Sequence, residues 1–342
     1  MSKRITWIDT CKGIGIFLVI IGHTTLVDAP RIHIYSFHMP LFFFLSGFLF
    51  STKGSFREFS LIKVKTLLVP YIFFAILSFL LTTHYLGMPI EIGSFFYSTI
   101  ESRRNYIFYN IPLWFLTSLF LIEIIFYYLV KLIKNKYAIL MVVIPVGFLS
   151  HWQLGAARGT NILPWSLDQS LYYLVFFGIG YFVRILNWLE RDLKKSFLLV
   201  VPSILYIWFV LDSTVYERAW QILHLTPNIQ IYLSGILWAL LAISFTIYIS
   251  QFLSFSPVLS YLGRNTLILM CLHLPLAINV FNTHFREGLN LENHPNILAL
   301  FITIFSILLL IPVSYIMNNL FPFLLGKKFN HKLLVYNYIF KK

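Results

Sequence analysis

A cation and a titratable base, Lys12 and His23, lie eleven residues apart in one of the most apolar stretches of the chain. That separation is close to three helical turns, so on a helix both side chains project from nearly the same face, roughly 16 Å apart along the axis. A polar side chain at membrane depth marks function by default. Lys12, near one surface, could hold a phosphate-bearing ligand, and His23, in the other half, could take a proton from a reacting hydroxyl. The same spacing fits a lysine that snorkels to lipid headgroups and a histidine that hydrogen-bonds a neighbouring helix.

Further polar residues interrupt other apolar stretches. The run Phe37-His38-Met39-Pro40 opens a second predicted helix, with Pro40 in the first turn, where a missing N–H costs least. Ser46 and Gly47 are small enough to let another helix approach closely. Trp114 opens the fourth predicted helix, and Glu123, near its middle, must be paired or protonated. Gly263-Arg264-Asn265-Thr266 leads into a helix that carries His273. His23, His38 and His273 would then converge in the outer half of the bundle, His38 and His273 as binding residues. Their separation along the chain lacks the ligand spacing of a metal site, so no metal is expected.

These side chains need a scaffold, and composition specifies it. Of 342 residues, 58% are apolar, 18% aromatic and 11% charged, against about 25% charged in a soluble domain. Apolar stretches recur at 7–27, 38–51, 66–86, 111–131, 137–150, 168–188, 196–212, 229–252, 265–281 and 297–320. A membrane crossing takes roughly 20 such residues. They lack the alternation of barrel strands, and backbone in lipid must satisfy itself internally. The expectation is an all-α, polytopic membrane bundle of about ten helices, one domain over 1–342.

The net charge of +13 does not call for nucleic acid, because its distribution follows the membrane. With the amino terminus in the cytoplasm, the outer side holds only Arg31, Arg103, Arg104, Arg158, Arg218 and Arg286, leaving 20 of the 26 Lys and Arg inside. That is the positive-inside bias, with both termini and the basic tail 321–342 cytoplasmic and lipid as the partner. Loops 87–110, 151–167, 213–228 and 282–296 would face outward. The two cysteines, Cys11 and Cys271, fall in helices and imply no disulfide framework. The first run ends Val27-Asp28-Ala29, like a signal-peptide site, but Lys12 and His23 interrupt it and nine stretches follow, so it is expected to stay. Nucleophile-elbow, P-loop and His-Glu-x-x-His sequences are missing. The other histidines, His33, His84, His151, His224, His284, His294 and His331, are expected at solvated loops, helix ends or the tail.

Taken together, Ile8-Asp9-Thr10-Cys11-Lys12-Gly13 through His23, the run from Phe37 to Phe48, Leu113 to Phe120, and Leu262 to His273 resemble the acyltransferase 3 family. These are integral membrane enzymes that O-acetylate surface glycans, and the Phe37 run is similar to the fucose 4-O-acetylase-like branch. The resemblance implies acyl-CoA, commonly acetyl-CoA, as cytoplasmic co-substrate, and a sugar hydroxyl on a lipid-linked or exported glycan as acceptor. It implies His23 as general base, directly or through an acyl-histidine. Glu123 would share in catalysis, Lys12, Lys63 and Lys65 would hold the donor, and His38, Ser46, Trp114 and His273 would meet substrate. Lys12 stands where many members carry arginine, and Lys63 and Lys65 replace a pair of arginines. Each keeps charge but loses the bidentate fork for phosphate. A non-enzymatic polysaccharide exporter or assembly partner is the competing class, in which the same residues line a permeation path.

Overall fold

The computed structural model describes residues 5–154, 163–189, 193–221, 225–289 and 291–327. Among the described residues the chain is almost wholly helical and contains no strand. The helices are α1 (Thr6–Gly22), α2 (Asp28–Leu49), α3 (Phe56–Tyr85), α4 (Ile92–Glu101), α5 (Ile111–Leu132), α6 (Lys136–Gln153), α7 (Leu167–Ile185), α8 (Leu193–Leu211), α9 (Ser213–Gln221), α10 (Pro227–Phe255), α11 (Pro257–Arg264), α12 (Thr266–His284) and α13 (Pro295–Leu320). Six of them, α2, α3, α5, α10, α12 and α13, are long and apolar enough to cross a membrane. The expected all-α membrane bundle is what the structure shows.

Local signals set the helix starts. Pro227, Pro257 and Pro295 each lead a helix, where the missing N–H is one of the unpaired donors anyway. Ser55 and Glu58 form a reciprocal capping box at the start of α3, with bonds of 3.3 and 2.9 Å. Lipid gives apolar helices little reason to associate, so close backbone packing must do so. Gly47 of α2 abuts the Phe177 carbonyl, and Gly180 of α7 abuts that of Phe44. A Cβ at either glycine would overlap the opposing oxygen. Gly13 against Leu259 and Gly263 against Asp9 lock α1 to α11 in the same reciprocal way. These two crossings fix α1 and α2, which carry His23 and His38.

The basic segments gather at one end of the bundle. There Arg184 at the end of α7 donates to the Phe48 carbonyl at the end of α2 (2.9 Å), and Asn318 near the end of α13 donates to Asn265 before α12 (2.7 Å).

Several boundaries differ from the sequence expectation. α2 starts at Asp28 rather than at 38, because Asp28 and Arg31 pair within its first turn and its polar opening resembles a loop. His38 therefore lies in mid-helix and Pro40 in the interior, not in the first turn. α3 starts at Phe56, ten residues earlier than expected, and places Lys63 and Lys65 on the helix. α1 ends at Gly22 with His23 as its cap. Arg158, Arg191, His224, His331, residues 155–162 of the loop 151–167 and the tail beyond 327 lie outside the described residues.

Candidate active site

His23 closes α1, its backbone N–H reaching the Ile20 carbonyl at 3.1 Å. Its ring lies 5.1 Å from that of His273 on α12, tilted by 51°. Tyr35 bridges to the third histidine, with ring centres 6.0 Å from His23 and 5.0 Å from His38. The structure thus brings the three histidines of three helices together, away from the basic end. His23, Tyr35 and His38 line a cavity of about 180 Å³ with Arg104 and Trp114. Val19, Met39, Phe42, Phe115 and Met270 make the rest of its wall mainly apolar.

Two of the rings have their tautomers set by backbone. A carbonyl only accepts, so the 2.7 Å contact of His38 Nδ1 with the Ile34 carbonyl puts the proton on Nδ1. His273 Nδ1 likewise donates to the Met270 and Leu269 carbonyls, at 2.8 and 3.1 Å. In the neutral rings each Nε2 then presents a lone pair, and that of His273 is buried with no hydrogen-bond partner. The local fold explains the placement. Pro275 has no N–H for the Cys271 carbonyl four residues back, and α12 widens to a π turn over His273–Ile278. Asn110 supplies the missing donor, its Nδ2 reaching the Cys271 carbonyl and Ser78 Oγ at 2.7 Å each.

Arg104 is the site residue that sequence reasoning missed. It sits in the turn between α4 and α5, where Ser102 and Asn105 adopt left-handed φ of 45° and 68°. Left-handed backbone at non-glycine residues persists only where surrounding contacts over-determine it. Here Ser102 Oγ bonds Thr117 Oγ1 (2.7 Å), Arg104 N donates to Ser166 Oγ (2.8 Å), and Ser166 Oγ donates back to the Ser102 carbonyl (3.1 Å). The guanidinium lies 5.3 Å from the Trp114 ring centre and donates to Gln169 Oε1 at 3.1 Å. Trp114, expected to meet substrate, is therefore also the seat of Arg104. The one available signal was an Arg103-Arg104 pair on the side where basic residues are otherwise scarce.

A larger cavity of about 390 Å³ adjoins the first, and Tyr35 and Arg104 belong to both walls. Its lining includes Tyr172, Tyr216 and Trp238, with Ser36 and Gln169. His33 is not in a loop, and His151, near the end of α6, is not simply solvated. His33 lies within α2 and stacks on Trp238 with centres 5.5 Å apart, and His151 lines the larger cavity.

The remaining sequence candidates lie elsewhere. Lys63 Nζ is 2.8 Å from both carboxylate oxygens of Glu123, and its charge faces the Phe59 ring at 5.3 Å. Glu123 follows Trp114 by nine residues on α5, which puts it about 14 Å further along the axis. The structure joins Glu123 to Lys63 and not to the histidines. Lys12 is half-buried on α1, Lys65 is exposed on α3, and Ser46 is half-buried beside the α2–α7 crossing. Cys11 and Cys271 are buried free thiols.

A family model described as an acyltransferase domain matches residues 5–317. The chain belongs to the acyltransferase 3 family. It is a multi-pass membrane acyltransferase, and the match spans α1 to α13, including every histidine of the cluster. No curated protein and no solved structure gives a significant match.

Proposed function

We propose that this acyltransferase moves an acetyl group from cytoplasmic acetyl-CoA to a hydroxyl of a cell-surface or exported carbohydrate. It would sit in the cell membrane as ten spans with both termini cytoplasmic. The observation that carries the reading is the cluster of His23, His38 and Arg104 around one small cavity, with His273 packed behind His23, at the end of the bundle opposite the basic segments. That division suits a phosphate-rich donor at one end and an uncharged nucleophile at the other. The size of the chamber, about 180 Å³, favours a short acyl chain.

In this mechanism a His23 nitrogen takes the proton of the acceptor hydroxyl as its oxygen attacks the thioester carbonyl. A C–O ester bond forms and the C–S bond breaks. The imidazolium then returns its proton to the departing CoA thiolate, giving free thiol. His273 acts by position. Nitrogens on rings whose centres are 5.1 Å apart can approach to about 3 Å, within hydrogen-bond range. Its Nε2 lone pair can therefore accept the His23 N–H and leave the other His23 nitrogen basic. The Arg104 guanidinium, held in the same wall, supplies positive charge for the oxyanion that develops on the carbonyl. Lys12, at the other end of α1, would receive the CoA phosphates.

The test is to incubate purified protein in lipid discs with acetyl-CoA and an ester-free surface glycan. CoA thiol release and acetyl esters on the glycan should rise together. A non-enzymatic exporter would release no CoA, and that result would overturn the proposal.

A further inference from the structure

The larger cavity has no role in the chemistry described so far, yet its walls are built for a particular kind of guest. Its volume, about 390 Å³, falls in the range of small-molecule sites, about 300–1,000 Å³. Flat aromatic side chains, Tyr172, Tyr216 and Trp238, are interleaved with hydrogen-bonding groups from Ser36, Gln169 and Ser234. A pyranose ring has the matching surface, with C–H faces that lie on aromatic rings and a rim of hydroxyls. The Ser36 and Ser234 hydroxyls donate to the His33 and Ile231 carbonyls, at 2.6 and 3.1 Å, and so turn oxygen lone pairs free to accept from ligand hydroxyls, a capacity an acyl chain would not use.

Three details give the site fixed geometry. Trp238 is held by rings on several sides, stacked by His33 at 5.5 Å and met edge-on by Tyr216 at 5.0 Å and Tyr206 at 5.8 Å. Pro40, inside α2, has no N–H to give the Ser36 carbonyl, and both residues line the cavity. That backbone oxygen therefore lacks its helical donor and can accept from a ligand hydroxyl. Gly235 adds no side chain to the wall, and the nearest atom to a Cβ there would be the Tyr172 hydroxyl at 3.9 Å. The lining comes from α2 between Tyr35 and Pro40, Arg104 in the α4–α5 turn, the end of α6, the start of α7, α9 and the first half of α10. All of these lie at the end opposite the basic segments.

We propose that this cavity binds one pyranose ring of the acceptor, and that Tyr35 and Arg104 hold its reacting hydroxyl at the entrance to the histidine chamber. This rests on the acyl-transfer reading above. Trp238 and Tyr216 carry the ring, the Ser36 carbonyl and Gln169 hold its hydroxyls, and the two residues common to both cavities align the hydroxyl with His23. Acceptor selectivity is then a property of α2, α7, α9 and α10, separate from the donor site.

The test uses the full chain in lipid discs and oligosaccharides cut from the host's surface polysaccharide and freed of esters by mild base. Binding is measured first without any acyl donor. Wild type should bind, Trp238→Ala should bind at least tenfold more weakly, and Trp238→Phe should recover most of the loss. With acetyl-CoA added, the ratio of glycan transfer to hydrolysis by water should fall at least tenfold in Trp238→Ala and in Gln169→Leu. Glycan binding that is unchanged in Trp238→Ala would overturn the inference, as would transfer and hydrolysis falling in proportion. A wild type that binds the oligosaccharide in this cavity but never releases CoA would instead sink the acyltransferase reading and leave the cavity assignment standing.

Discussion

Phe42 offers the sharpest control over which acyl group the enzyme accepts. Its ring lines the histidine chamber, packs 3.0 Å from where a Cβ would stand on Gly15 of α1, and meets the Phe115 ring edge-on at 6.1 Å. The chamber of about 180 Å³ is slightly larger than the roughly 150 Å³ that holds one benzene ring. With the thioester sulfur and the acceptor C–O inside it, room is left for an acyl group of about two or three carbons. A methylene that does not fit a pocket costs about 1–3 kcal/mol, or 10–200-fold in kcat/KM. Wild type should therefore use butyryl-CoA 10–200-fold less well than acetyl-CoA, with propionyl-CoA in between. Removing the ring in Phe42→Ala opens the chamber, and each methylene then buried gains about 0.8 kcal/mol, roughly fourfold. The acetyl-to-butyryl ratio should drop below about fivefold. The same change costs about 3–5 kcal/mol of stability, so Phe42→Leu serves as the milder step and thermal unfolding is followed alongside. The assay is CoA release across the three thioesters. Equal use of all three by wild type would refute the assignment of the chamber, and so would a folded Phe42→Ala that keeps the original ratio.

Other outcomes follow from the packing. Lys63→Ala leaves a buried carboxylate unpaired and should cost about 3–5 kcal/mol; if the pair is structural, the double variant Lys63→Met/Glu123→Leu should regain stability and keep activity, whereas inactivity of a stable double variant would show that Glu123 or Lys63 takes part in the reaction. Gly180→Ala sets a Cβ against the Phe44 carbonyl and should cost at least about 1–3 kcal/mol, read as a lower unfolding temperature; unaltered stability would contradict the close α2–α7 crossing. Single cysteines at the exposed positions Ser55, Asn135, Ser94 and Thr283, in a background lacking Cys11 and Cys271, test sidedness. An impermeant thiol reagent on intact cells should reach Ser94 and Thr283 only, and labelling of Ser55 or Asn135 would reverse the orientation and put the basic end away from cytoplasmic CoA.

The helices were legible because a lipid-facing segment has to be apolar along its length, and the stretches around α3, α5, α10, α12 and α13 carry that mark plainly. α2 was misplaced at its start because its first turns carry Asp28, Arg31, His33 and Ser36, which read as loop but form helix, with Ser36 on a cavity wall. His23 was visible from one helix alone, since its spacing from Lys12 is a periodic signal. Its approach to His273 is a contact between two helices, and although Pro275 marks a break in α12, nothing in the sequence says which helix that ring will face. Arg104 was hidden for a related reason. Two left-handed residues and a serine more than sixty positions away aim it, and none of these leaves a periodic trace. Glu123 was read as needing a partner, but the partner, Lys63, lies sixty residues earlier on another helix.

The central claim is that His23 is the base that activates the acceptor. It is tested most directly by comparing acetyl transfer to glycan, and the accompanying CoA release, in wild type, His23→Gln and His23→Ala. All three should be matched for insertion and thermal stability. Loss of general-base catalysis typically lowers the rate about 10²–10⁴-fold, and both variants should fall in that range. Retention of more than about half the wild-type rate by either folded variant would contradict the account.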